Sequence, residues 1–327
     1  MNFIRTSFLS GLSTAISFIA RGISFKIIAA FLGTSGMVLI GQLRDFLKLG
    51  NVFSTFGIEN GIVKYTSENY KSEKEFVKII STSFKINLFS SLIICLIAIW
   101  QYDTILENFF FGLNDTINKS VFVLILLISI FSFSIHTCFL AIINGLKKIK
   151  FWVAINIISN LTAALLLVLL VFLFDNKING ALYAIIISQI VTLIINIILI
   201  YFLKPFKISQ LFSAFSYDYF LKLSNFSIMA IAGPLCLITA TVLIRSSLAK
   251  EPLPYIGILF DAPWKDAIDY AGSWEAMWRI SAMYLLFLIT TFKFYLIPTF
   301  SKLNNLELKK EVFKVWKFVV PLIIIIT

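Results

Sequence analysis

Long apolar runs separated by short polar breaks make up nearly the whole chain. Most runs hold about 20 residues, the length that a helix needs to cross the hydrocarbon core of a bilayer. The pattern predicts an all-α, polytopic membrane protein with about nine transmembrane helices, the last of which is incomplete. The predicted spans are residues 11–32, 37–62, 82–101, 120–144, 152–174, 180–203, 225–248, 276–300 and 315–327.

Three polar breaks are long enough to suggest how the helices are grouped. Residues 64–85 mix Lys and Glu and predict a cytoplasmic amphipathic extension, whereas the prolines within 251–273 predict a folded extracytoplasmic loop or a re-entrant turn. Six predicted spans precede residues 204–224 and three follow them. We therefore predict an N-terminal six-helix lobe over 1–203, a cytoplasmic inter-lobe linker over 204–224 and a partial second lobe over 225–327.

Composition agrees with a protein of the lipid bilayer and indicates its orientation. Of the 327 residues, 59% are hydrophobic and 14% are charged, against roughly 25% charged in a soluble domain. Seventeen basic residues lie at the N-terminus and in every second break, whereas the opposite breaks hold only Lys119, Lys177, Lys250 and Lys265. Since basic residues concentrate in cytoplasmic loops, the N-terminus is predicted to be cytoplasmic. This topology explains most of the net charge of +11, and no nucleic-acid partner is predicted.

Three basic residues, Arg21, Lys26 and Arg44, lie inside the first two apolar runs. Each costs about 3 kcal/mol within a bilayer, so we expect them to face a protein interior or a water-filled cavity. Lys48 is four residues from Arg44 and shares its helix face, and Asp45 is three residues from Lys48. A cationic cavity that binds an anion, most simply one carried by a lipid, is the leading hypothesis.

The later spans add three further basic residues to this hypothesis. Arg245 and Arg279 lie near the outer ends of their spans, where snorkelling to the interface competes with a cavity role. Lys293 lies deeper and is the better cavity candidate. Two acids, Asp45 and Glu59, are candidates for ion pairing with Arg21 or Lys26.

Few residues suggest other chemistry. The cysteines, Cys95, Cys138 and Cys236, have no ligand spacing, so no metal site is predicted. His136 stands alone in the fourth span, and a core or polar-face role is favoured over proton coupling. No catalytic or nucleotide-binding motif appears, so neither a catalytic residue nor a cofactor is predicted.

Five segments carry a family resemblance: the run from Lys26 to Gly36, Gly41-Gln-Leu-Arg44, Asn60-Gly-Ile-Val-Lys64-Tyr65, Tyr295-Leu-Ile-Pro-Thr-Phe-Ser-Lys-Leu303 and Lys314-Val-Trp-Lys-Phe-Val-Val-Pro321. In these segments the chain resembles the Wzx-type polysaccharide flippases of the multidrug/oligosaccharidyl-lipid/polysaccharide (MOP) superfamily. The resemblance implies a MATE-like fold of about twelve helices in two lobes. It also implies a cargo, an undecaprenyl-pyrophosphate-linked oligosaccharide such as an O-antigen or enterobacterial common antigen repeat unit.

The resemblance further implies a location in the bacterial inner membrane and a polymerase and chain-length proteins of the same pathway as partners. Positions matching Lys26, Arg44 and Arg245 are basic in such flippases, whereas Arg21 and Arg279 have no obvious counterpart. About three helices of the second lobe would lie beyond Thr327, so a truncated chain is expected.

Two other functions remain open at this point. A cation or drug antiporter would carry acids in its cavity, but here basic groups outnumber Asp45 and Glu59. A membrane glycan polymerase or ligase of the same pathway would need a large periplasmic loop with catalytic residues, and 250–273 is short and lacks histidine.

Overall fold

A computed structural model describes residues 3–109, 118–203, 206–250 and 268–283, together with positions 307, 309, 310, 312, 313, 316 and 317. Every regular element in these ranges is a helix. The α-helices are α1 (Phe3–Ser54), α2 (Glu59–Asn69), α3 (Glu73–Trp100), α4 (Tyr102–Phe109), α5 (Lys119–Gly145), α6 (Ile149–Leu173), α7 (Lys177–Leu203), α8 (Tyr217–Ser224) and α9 (Ser227–Lys250). A 3-10 helix covers Ile208–Phe212, and residues 268–283 are helical.

Six of these helices are long and apolar enough to cross a membrane, which confirms the predicted class of all-α polytopic membrane protein. They are Gly11–Ser54, Glu73–Trp100, Lys119–Gly145, Lys150–Leu173, Lys177–Phe202 and Ala230–Ala249. Most of the predicted spans 276–300 and 315–327 lies outside the described residues.

The helix α1 contains the first predicted span and most of the second. Its apolar part, Gly11–Ser54, has 44 residues, and a straight helix of that length would measure about 66 Å, twice the thickness of a bilayer core. The helix is interrupted at Gly33, where φ is 66° and ψ is −164°. This interruption falls within the predicted break between residues 32 and 37.

The predicted end of the second span, at residue 62, is wrong. The helix ends at Ser54, and the next one, α2, begins at Glu59. Between them Phe56 (φ 52°) and Gly57 (φ 63°) both adopt left-handed backbone angles, which a right-handed helix cannot include. The apolar sequence of this segment hides the turn because the residues around it are buried, among them Ile58 and Ile62.

Two compact units divide the chain, Met1–Met277 and Trp278–Thr327. In the first unit α1 packs against α3, α5, α6, α7 and α9, and α6 packs along α7. One hydrophobic cluster joins α1, α5 and α7 around Leu43, Phe122 and Ile130. A second cluster joins α2, α3 and α5 around Ile62, Ile80 and Ile142. The division into lobes at 204–224 stays a prediction.

The predicted linker is folded against α3 over its described part. The backbone carbonyl of Ser213 accepts bonds from Ser81 Oγ and Lys85 Nζ, both at 2.6 Å. The Ser216 amide donates to Thr82 Oγ1 at 3.0 Å. Hence one short stretch of main chain is fixed to α3 by three side chains of that helix.

Candidate functional site

The predicted basic residues of the first two spans differ in exposure. Arg21 and Lys26 are exposed on α1, Arg44 is half-buried, and the side chain of Lys48 is 61% exposed. Asp45, which lies between Arg44 and Lys48 in the sequence, is buried in contrast. Among the described residues, Asp45 forms ion pairs with Lys48 and Arg245 rather than with Arg21 or Lys26.

A buried charge cluster forms around Arg245 of α9. Its Nη2 donates to Asp45 Oδ2 at 2.7 Å and to Glu275 Oε2 at 2.6 Å, and its Nε donates to the same Glu275 oxygen at 3.1 Å. The three side chains are only 3%, 8% and 5% exposed, respectively. We call Asp45, Arg245 and Glu275 the Arg245 cluster. It joins α1, α9 and the helical residues that begin at 268.

Neighbouring side chains complete the polar shell of the cluster. Thr241, one helical turn before Arg245, lies with its Oγ1 3.4 Å from Asp45 Oδ2. Lys48 Nζ lies 3.7 Å from Asp45 Oδ1. The Trp274 ring centre is 5.9 Å from the Arg245 guanidinium carbon, within reach of a cation–π interaction. Two carboxylates and one guanidinium leave a formal charge of −1, and the ammonium of Lys48 balances it from the exposed side.

Glycine makes room for the second carboxylate. A Cβ atom at Gly41 would lie 2.7 Å from Glu275 Cδ and 2.9 Å from each carboxylate oxygen, closer than real contacts allow. Gly41 stands four residues before Asp45, on the same face of α1. The same two segments also meet nearer the start of α1, where Thr34 Oγ1 donates a hydrogen bond to Asp269 Oδ1. Residues 269–275 therefore pack along α1 from near the Gly33 interruption to the Arg245 cluster.

Reasoning from sequence missed Glu275. The predicted loop ended at 273 and the predicted span began at 276, which left Glu275 between the two. Residues 268–283 are helical, so the predicted end of the loop is wrong. The residue spacing gave one usable signal: Glu275 precedes Arg279 by one helical turn, the arrangement of a helix that continues through both. The prediction for Arg245 had left snorkelling and a cavity role open, and its 3% exposure does not fit a side chain that reaches the interface.

The remaining predicted residues lie in different places. Glu59 is half-buried at the start of α2. Arg279 is 9% exposed and belongs to the second compact unit. Lys293 lies outside the described residues.

His136 is buried inside the first unit and is paired with an amide. Its Nδ1 meets the side-chain nitrogen of Asn196, and its ring stacks on Phe133 at 6.5 Å between centres. Close by in sequence, Ser134 Oγ lies 3.2 Å from Asn87 Oδ1. No group of three or more His, Cys, Asp or Glu side chains suited to a metal ion occurs in the described part of the chain.

Solved structures show which class of protein has this fold. An inward-facing multidrug resistance MATE family transporter of the MOP superfamily matches with a TM-score of 0.60 and 13% identity, over 81% of this chain and 58% of its own. A MOP superfamily transporter from Pyrococcus furiosus matches with a TM-score of 0.61 and 12% identity, over 88% of this chain and 61% of its own. The class is therefore a multi-span helical membrane protein with the MATE transporter fold.

Sequence comparison gives the family within that class. The model of the family described as polysaccharide biosynthesis protein matches residues 3–304, and the chain belongs to this family. The Lipid III flippase of Escherichia coli (strain K12) is 25% identical over 325 residues, which are 98% of this chain and 73% of that protein. The resemblance to a polysaccharide biosynthesis family and the predicted MATE-like fold are confirmed. The chain spans less than two thirds of the length of the solved transporters.

Proposed function

We propose that this chain is a flippase of the bacterial inner membrane that moves an undecaprenyl-pyrophosphate-linked oligosaccharide from the cytoplasmic to the periplasmic leaflet. The Lipid III flippases that align with 98% of the chain support this proposal, as does the family of polysaccharide biosynthesis proteins. The excess of basic residues in alternate breaks supports a cytoplasmic N-terminus. A polymerase and chain-length proteins of the same pathway are the proposed protein partners.

The observation that carries the proposal is the Arg245 cluster. A guanidinium buried in a membrane protein is costly, and such residues mark functional sites by default. Arg245 is held by carboxylates from two different helices, at 2.7 Å and 2.6 Å. Guanidinium groups bind phosphate oxygens with the same paired geometry that they use for carboxylates. A pyrophosphate is thus a direct competitor of Asp45 and Glu275 for Arg245.

This competition provides a way to couple cargo to motion. A ligand shifts a conformational equilibrium only by the difference in its affinity for the two states. With the cargo absent, the cluster ties α1 to α9 and to the helix that carries Glu275. When the pyrophosphate takes Arg245, both carboxylates lose the guanidinium that they share, and the link between these helices is weakened. Arg44 and Lys48, on one face of α1, would then hold the far side of the pyrophosphate.

Around this centre, the other basic residues would line the route of the headgroup. We propose that Lys26 and Arg21 on α1 meet the pyrophosphate on entry. Lys293 and Arg279 would meet it later in transfer. The lipid tail would stay in the bilayer throughout, because an isoprenoid chain gains nothing by leaving hydrocarbon.

The test is export of repeat units in a flippase-deficient strain that expresses this chain or its variants at equal membrane abundance. Arg245→Ala should abolish export and leave lipid-linked repeat units on the cytoplasmic side. Arg245→Lys should recover only part, because an ammonium cannot make two parallel bonds. Lys119→Ala, at the exposed start of α5, is the matched control and should export normally. Wild-type export by Arg245→Ala would contradict the proposal.

The same assay separates the rival functions. Loss of a polymerase leaves single repeat units exported but unjoined, whereas loss of a flippase leaves them inside. Loss of an antiporter would leave polysaccharide export unchanged and would alter drug or cation resistance instead.

A further inference from the structure

An apolar groove opens on the first compact unit, far in sequence from the Arg245 cluster. Its inner part is a cavity of about 240 Å³ bounded by α3, α5, α7 and the 3-10 helix. Ten apolar side chains line it, among them Phe84, Phe139, Leu193 and Phe212. An apolar cavity of about 150 Å³ already holds a benzene molecule, so this space admits several methylene groups.

A second cavity, of about 650 Å³, adjoins the first and shares Ile200 and Ile208 as lining. Among its described lining residues, this outer cavity has one charged and one amide side chain, Lys207 and Gln210. Lys207 is exposed, and its backbone amide donates to Gln210 Oε1 at 3.1 Å, which fixes the turn at the mouth. The groove is thus apolar inside and basic at its mouth.

The groove lies on a surface that suits contact with lipid. Next to it, α7 exposes Ile194, Ile197, Ile198, Tyr201 and Phe202 along one face, and Phe202 is 73% exposed. An apolar strip of this kind on a membrane-spanning helix suits contact with hydrocarbon. The groove is at the end of the helices where α3 begins and α7 ends, and α3 begins among lysines.

We propose that this groove binds one molecule of an anionic phospholipid, with an acyl chain in the apolar cavity and the phosphate at Lys207. The charge at the mouth decides the headgroup, since the described linker residues from Phe206 to Ser216 contain no acid and one lysine. A single lysine suits a singly charged phosphodiester.

The bound lipid would act on the linker. Ile208, Leu211 and Phe212 belong to the 3-10 helix and form one wall of the groove. An acyl chain in the cavity would contact this wall on one side and α3 and α7 on the other, in addition to the bonds that Ser213 accepts from Ser81 and Lys85. Anionic lipid is therefore expected to stabilise the stretch that joins α7 to α8. This inference does not depend on the flippase proposal.

The experiment titrates the purified full chain, delipidated in a mild detergent, with dioleoyl phosphatidylglycerol, dioleoyl phosphatidylcholine or undecaprenyl phosphate. Thermal unfolding and native mass spectrometry report stabilisation and the number of lipids retained. The wild type should unfold several degrees higher with phosphatidylglycerol than with phosphatidylcholine and should retain one phosphatidylglycerol preferentially. Lys207→Gln should weaken the apparent affinity for phosphatidylglycerol about fivefold, as expected for one basic side chain at an anionic surface.

Two aromatic substitutions test the cavity itself. Leu193→Trp fills the inner part, and Ile197→Trp obstructs it from the exposed face in case the first variant fails to fold. Either should remove the preferential lipid from the mass spectrum. Leu165→Trp, on an exposed face of α6, and Lys119→Gln are the matched controls and should behave like the wild type.

Three results would overturn the proposal. One is equal stabilisation by both phospholipids, which removes the role of charge. Another is retention of phosphatidylglycerol by both tryptophan variants, which removes the role of the cavity. The third is stabilisation by undecaprenyl phosphate with no effect of phosphatidylglycerol, which assigns the groove to the carrier lipid instead. None of these results bears on export of repeat units, so the two proposals fail independently.

Discussion

Removal of the guanidinium at position 245 gives the sharpest test of the buried charge cluster. Arg245→Leu replaces the side chain by an apolar one of smaller volume and leaves Asp45 and Glu275 buried at 8% and 5% exposure without their shared partner. Removing one partner of a buried ion pair costs about 3–5 kcal/mol, because the other charge remains desolvated. Here two charges remain, although Lys48 at 3.7 Å offsets part of the cost for Asp45. We therefore expect a loss of about 4 kcal/mol.

The assay is reversible unfolding in mixed micelles, followed as the mole fraction of denaturing detergent increases. Arg21→Leu, which removes an exposed arginine from α1, is the control and should lose far less stability. The triple variant Asp45→Asn, Arg245→Leu, Glu275→Gln should recover most of the loss, because uncharged groups of similar shape no longer demand a counter-ion. If Arg245→Leu is within about 0.5 kcal/mol of the wild type, the range of an ordinary surface substitution, the cluster does not join these helices and the reasoning is refuted.

Two further predictions concern the approach of the helices and their orientation. Gly41→Leu should lower the unfolding free energy by about 1–3 kcal/mol, because its Cβ would lie 2.7 Å from Glu275 Cδ. Gly11→Leu, which meets nothing within 4 Å, should be neutral in the same unfolding assay. In a cysteine-free background, Lys119→Cys and Lys150→Cys mark opposite ends of α5 and its following turn, and an impermeant maleimide applied from the periplasm should label only the former. Periplasmic labelling of Lys150→Cys would reverse the proposed orientation.

The hydrophobic runs predicted the boundaries of several helices closely, because polar residues lie on both sides of those runs. The predicted spans 120–144, 152–174 and 180–203 correspond to α5 (Lys119–Gly145), α6 (Ile149–Leu173) and α7 (Lys177–Leu203), and each boundary agrees within three residues. Such agreement needs only local information, namely where transfer into lipid stops being favourable. The same information failed at residue 62, where the chain turns among buried apolar residues.

The candidate site was less predictable than the fold. Its basic members stood out because a charge in an apolar run is conspicuous. Glu275 did not stand out, because its burial results from contacts with Arg245 and Gly41, which are 30 and 234 positions away in the chain. A local sequence pattern does not show that such distant residues are neighbours in the fold. The pairing of Asp45 with Arg245 was missed for the same reason, since only neighbours within α1 or α2 had been considered as its partners.

At the interruption of α1, the backbone angles of Gly33 restrict which amino acid can stand there, whereas the available space does not. No heavy atom lies within 4 Å of the place where a Cβ would stand, so space alone would admit a side chain. The backbone angles of 66° and −164° nevertheless belong to a region that is closed to L-amino acids and is the mirror image of an extended conformation that they readily adopt. A D-alanine introduced by chemical synthesis would fit there without strain, whereas natural alanine would not. Among the genetically encoded amino acids, only glycine, which is achiral, adopts these backbone angles without strain.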